Sequence, residues 1–175
     1  MRALLLGTLS VALLYQATPV RNARADNAST PGVSPPPPGH PAAAQPDYRP
    51  SFGDLMTMAV QPRHIKLGVA GRAANWAYAA YEVNELRNAF ARIARTIPLY
   101  NGADTQALFV AMTRASLDSV TAAIKDRNAG EFHRAYAQLT AACNACHVSQ
   151  RHAFVVITVP LTSPYADQDL RARAR

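Results

Sequence analysis

A chain of 175 residues, 49% of them apolar, can bury one core, and its length fits a single domain. Abundant alanine favours helices over sheet, which draws on β-branched and aromatic residues. The formal charge is +7, and no motif points to nucleic acid.

Arg2 precedes an apolar stretch from Ala3 to Leu14, interrupted only by Gly7, Thr8 and Ser10. Ala23-Arg24-Ala25 then has the small-x-small form of a cleavage site. Residues 1–25 are therefore predicted to be a secretory signal, with Asp26 the first mature residue and a periplasmic or otherwise exported destination. The stretch falls short of the ~20 apolar residues of a membrane span, and no other span is expected. Cleavage would remove Arg2, Arg21 and Arg24 and no acid, lowering the formal charge to +4.

Residues 26–50 hold eight prolines, including the run Pro35 to Pro38, and read as a disordered or semi-rigid linker. His40 within it is expected to be solvated. Residues 51–165 are expected to form the folded domain. Residues 166–175 form a basic tail with Arg171, Arg173 and Arg175.

Four helices are predicted in the domain. Ser51-Phe52-Gly53-Asp54 has the form of a capping box and opens the first, which runs to Gly68 or Gly71. Pro62 lies inside it and either bends the helix or starts a new one. Trp76, Ala80, Val83, Leu86, Phe90, Ile93 and Ile97 recur at helical spacing and define the second, from about Ala73 to Ile97. Glu82, Glu85, Arg92 and Arg95 occupy its other faces. Pro98 and Asn101-Gly102 end it.

Asp104 is a natural N-cap for the third helix, which continues to about Arg127 along Phe109, Met112, Leu117, Val120 and Ile124. Asn128 and Gly130 make a short turn, which favours antiparallel neighbours. The fourth runs from about Gly130 to Arg151. Phe132, Tyr136, Leu139, Cys143 and Cys146 share one of its stripes. Beyond it, Phe154 to Val159 reads as extended, and Pro160 and Pro164 exclude a helix there. The expected fold is all-α, an antiparallel four-helix bundle with a proline-rich N-terminal linker and an extended C-terminal tail wrapped on it.

Cys143-Asn144-Ala145-Cys146-His147 is the attachment signature of one covalent haem c. Two thiols at this spacing can each form a thioether to one edge of a porphyrin, and the adjacent imidazole can reach the iron. A Cys143–Cys146 disulfide leaves His147 unexplained. A thioredoxin-like pair belongs on a βαβ framework, and a structural zinc site needs a fourth ligand.

With this motif near the end of the last helix, residues 51–152 resemble the class II c-type cytochromes, the cytochrome c′ group. Arg151 matches a basic residue often found after the family's haem motif. The run Gln61-Pro62-Arg63-His64-Ile65-Lys66-Leu67, with Ala74-Asn75-Trp76 and Ala80-Tyr81-Glu82, also resembles a less characterised group of exported helical haem proteins.

The class II resemblance implies that the first helix supplies the residue over the distal haem face. Met there makes the iron six-coordinate for electron transfer, and an apolar residue leaves it five-coordinate for a small gas. Met56 and His64 are equal candidates, with Met58 behind. Met56 and His64 lie ~12 Å apart along an unbroken helix, so only one of them can serve. His133 and His152 are weaker candidates. Trp76 and Tyr81 are expected in the core or against the haem, and Tyr136 at the porphyrin edge. The leading expectation is a periplasmic electron carrier with a redox partner protein and no enzyme activity. The alternatives are a gas-binding protein for NO or CO, and a peroxidase-like enzyme using His64 and Arg63. The resemblance also implies a homodimer through the first helices.

Overall fold

A computed structural model describes residues 48–172. The predicted signal, nearly all of the predicted linker and the last three residues of the basic tail lie outside the described residues.

The domain is mostly helical. Its first helix runs without a break from Phe52 to Arg72 in three parts: α1 (Phe52–Leu55), a π-helical turn (Met56–Val60) and α2 (Gln61–Arg72). Ser51 caps it through the predicted box. Its hydroxyl accepts from the Asp54 amide at 3.1 Å, and its amide donates to Asp54 Oδ2 at 2.9 Å. Pro62 neither ends nor splits the helix. It has no N–H to donate, and its ring would press on the carbonyl four residues back. The wider turn just before it, with its i→i+5 bonds, relieves both problems.

α3 (Trp76–Thr96) begins at Asn75, whose side chain accepts from the Tyr78 amide. It carries the predicted apolar stripe, with Val83, Leu86, Phe90 and Ile93 buried. Its end is sharper than a simple stop. Strands β1 (Leu99–Tyr100) and β2 (Ala103–Asp104) pair antiparallel around Asn101 and Gly102, both at positive φ. That is the backbone a two-residue hairpin needs to match strand twist. The Tyr100 ring stacks on Phe52 at 3.9 Å and so ties this hairpin to the start of the first helix.

α4 (Thr105–Lys125) is capped by Asp104, and α5 (Ala129–Ser149) by Asn128. Although no further span is expected from the sequence, α4 is by length and hydropathy long and apolar enough to cross a membrane. Phe109, Thr113, Leu117, Val120 and Ile124 on one of its faces are buried in this domain, where it packs against α3 and α5. α2 packs against α3 and α5.

The contact of α2 with α5 is unusually close. A β-carbon built on Gly68 would lie 2.5 Å from the Tyr136 ring, and one on Gly71 would lie 2.0 Å from Phe132. The two aromatic rings stack on each other at 5.7 Å and press into the groove these glycines leave. As residue numbers rise along α2 they fall along α5, with His64 against Thr140, Gly68 against Tyr136 and Gly71 against Phe132. The two helices therefore run antiparallel.

The tail returns over the helices as expected. Its residues from Val155 to Pro164 line one side of a cavity, and Leu170 is buried, with its carbonyl held by Asn75.

Candidate functional site

The last two turns of α5 carry the Cys-x-x-Cys-His run, and all three side chains line a cavity of about 310 Å3. That lies at the lower end of the range for small-molecule sites. The first helix forms the facing wall with Met56, Val60 and His64, and Phe90 and Phe109 close it from α3 and α4.

Cys143 and Cys146 are free thiols. Burial pushes the Cys143 thiol up to about 11, with a smaller push from Cys146, and burial also raises Cys146. Both thiols are thus protonated at neutral pH. Among the described residues, no three His, Cys, Asp or Glu side chains are grouped to hold a metal ion by themselves.

Nδ1 of His147 lies 2.7 Å from the carbonyl oxygen of Val155. A carbonyl can only accept, so Nδ1 carries a proton, and in the tautomer this selects the lone pair is on Nε2. Asn144, between the cysteines, is engaged with Ile157 of the same tail segment.

His64 is in a different state. It is 4% exposed, and both ring nitrogens are occupied. The Thr140 hydroxyl donates to the Tyr136 carbonyl at 3.0 Å, so it accepts from Nε2–H of His64 at 3.1 Å. Nδ1 then faces the Tyr136 hydroxyl at 3.0 Å, which also lies 2.6 Å from the carbonyl oxygen of His64. Burial lowers the His64 pKa to about 4 and keeps the ring neutral.

The helix register separates the two leading distal candidates. His64 is level with Thr140, one turn before Cys143. Continuing the antiparallel pairing sets His147 level with Met56 and Thr57. From His64 to Met56 is eight residues, and from Thr140 to His147 is seven. The π turn absorbs the odd residue.

The same turn brings Met56 and His64 onto one wall of the cavity, though their separation along the helix still lets only one of them reach a single iron. On a regular α-helix they would be offset by roughly 80°. The extra residue in the π turn removes most of that offset, and both line the cavity. Met58 points elsewhere and is 59% exposed. His133 is exposed, and His152 bonds to the Gln150 carbonyl and packs on Tyr100 and Phe154.

Other expectations shift with the packing. Tyr136 is buried as a partner of His64 and is not among the cavity-lining residues. Trp76 packs edge-on against Phe132. Tyr81 is 53% exposed and lies edge-on to Tyr78, with the Arg63 guanidinium 6.0 Å from its ring centre.

The periodicity assigned Glu82 to a face away from the core stripe, yet it has no exposed surface. Arg63 pairs with it at 3.3 Å and reaches Glu85 at 3.8 Å. Burial and a hydrogen bond to Glu82 push the Tyr78 hydroxyl up to about 12. The local signal was present, since Ala79, Val83 and Leu86 flank Glu82 on the buried side of α3.

Compared with known protein families, curated proteins and solved structures, the chain matches none.

Proposed function

We propose that this chain is a c-type haem protein with a single covalent haem, held by thioethers to Cys143 and Cys146 and ligated by His147. More particularly, we propose an exported electron carrier related to the class II cytochromes, an antiparallel four-helix bundle with Met56 as the distal ligand and a redox protein as partner. The haem would supply a reversible one-electron centre.

The observation that carries this reading is the state of His147. Its Nδ1–H is tied to a backbone carbonyl, which leaves Nε2 as the free donor on a ring lining the cavity. Iron-ligating histidines are oriented in this way. The two neighbouring thiols and the largely apolar walls fit a porphyrin. Met56 is favoured over His64 because it is level with His147, whereas both nitrogens of His64 are engaged. Arg63 is committed to Glu82 and Glu85, so a peroxidase-like mechanism lacks its acid–base pair. A gas-binding reading draws support from Val60, Phe90 and Phe109 on the same walls and differs by having no bond from Met56 to the iron.

Expression of the full chain beside a haem-attachment system tests the proposal. The secreted protein is expected to be coloured and to carry one added haem by mass, with Cys143→Ala/Cys146→Ala colourless. Ferrous protein is expected to resist CO, Met56→Ala to bind it readily, and His64→Ala to behave as the parent. Ready CO binding by the parent would move the function to gas binding. A colourless parent of unmodified mass would overturn the haem assignment.

A further inference from the structure

We propose that Asn144 is a positioning residue for His147, acting through the C-terminal strap; the proposal rests on the haem reading above. Asn144 is one of the two unassigned residues between the cysteines. Its Oδ1 accepts from the Ile157 amide at 2.8 Å and its Nδ2 donates to the Ile157 carbonyl at 2.9 Å. One side chain therefore satisfies both backbone groups of a single strap residue. Two residues earlier, the Val155 carbonyl accepts from Nδ1–H of His147 at 2.7 Å.

This stretch of the strap belongs to no sheet among the described residues, so its polar groups need partners elsewhere. Asn144 provides two of them. Two nearer bonds, from the Val155 amide to the His152 carbonyl and from the His152 amide to the His147 carbonyl at 2.7 Å, turn the chain back along α5. The amide clamp thus fixes where the Val155 carbonyl stands, and that carbonyl fixes the proton on Nδ1 and the rotation of the ring.

A histidine that donates from Nδ1 to a carbonyl is a more electron-rich iron ligand, which favours ferric over ferrous iron. The strap that covers the site therefore also tunes it, and Asn144 is the residue that joins the two.

The test uses the secreted, haem-loaded full chain and Asn144→Ala. The reduction potential is expected to rise by about 59 mV, a tenfold shift toward the ferrous form. Hydrogen exchange at the Ile157 amide is expected to accelerate about tenfold, with haem content and helicity unchanged. Asn144→Asp, which keeps the acceptor and loses the donor, should fall between the two. If Asn144→Ala does not fold, Ile157→Pro removes the same amide proton from the strap side, with the same expected rise in potential.

Faster exchange at Ile157 with an unchanged potential would overturn the positioning role. Unchanged exchange would overturn the clamp itself. If the secreted parent carries no haem, the haem reading fails by itself. Ile157 exchange and the 15N shifts of the His147 ring then decide the clamp on the same sample.

Discussion

The Tyr136 hydroxyl lies 3.0 Å from Nδ1 of His64 and 2.6 Å from that residue's own carbonyl oxygen. With Thr140 beside Nε2, both ring nitrogens have a hydroxyl oxygen as neighbour, and it is burial that disfavours the charged ring. His64 is thus held uncharged between α2 and α5.

A pH dependence follows. His64 has a pKa of about 4 when folded, against an ordinary value of 6.5. As pH falls below 6.5 the unfolded chain takes up a proton before the folded one does. The stabilisation is complete above 6.5 and is lost progressively as pH drops toward 4. The difference amounts to about 3 kcal/mol. Urea unfolding followed by circular dichroism between pH 7 and pH 4 should reveal this slope, and His64→Gln should lower it by a similar amount. Parallel pH profiles for the two proteins would contradict the neutral buried state.

The pair of Arg63 and Glu82 predicts an asymmetry. Glu82 has no exposed surface, whereas Arg63 reaches solvent and has Glu85 as a second partner. Arg63→Met leaves the buried Glu82 carboxyl with the Tyr78 hydroxyl but no cation, and is expected to cost about 3 kcal/mol. Glu82→Gln leaves an uncharged amide beside Arg63 and is expected to cost less than half as much. Arg63→Met/Glu82→Leu should recover most of the loss, which a double-mutant cycle of unfolding free energies would measure.

Two glycines of the first helix should respond in opposite directions to alanine. At Gly71 a methyl group would drive into Phe132, which is fully buried between Trp76 and Tyr136 and has no room to swing away. Gly71→Ala is expected to destabilise by about 1–3 kcal/mol through overpacking. At Gly53 the nearest atom to such a methyl is 3.8 Å away, and the site is exposed. Gly53→Ala should stabilise by about 0.5 kcal/mol because alanine loses less backbone freedom in a helix. Thermal unfolding of the two variants beside the parent checks both signs.

The capping box predicts a smaller, local effect. Ser51→Ala removes the acceptor for the Asp54 amide and should cost about 1 kcal/mol. Amide exchange should rise mainly in the first turn, at Asp54 and Leu55, rather than throughout the domain.

Much of the helical fold was legible because its determinants are local. The caps at Ser51 and Asp104 act within three residues of themselves, and the stripe from Trp76 to Ile93 repeats at helical spacing. The Cys143-Asn144-Ala145-Cys146-His147 run is equally local, since a single turn of helix sets its spacing. Pro62 was ambiguous because a bend, a break and a π turn all relieve the same missing N–H. Glu82 was misread because its partner Arg63 is nineteen residues away on another helix. Tyr81 was expected to pack, and the face it occupies on α3 proved half open.

The sequence alone determined where most helices begin and where the Cys-x-x-Cys-His run falls, because each depends on near neighbours in the chain. Only the tertiary structure decided that Met56 and His147 line one cavity, that His64 is closed off by Tyr136 and Thr140, and that a returning tail holds the His147 ring. Those relationships join residues many positions apart, and their register is fixed by how closely Gly68 and Gly71 let α2 approach α5.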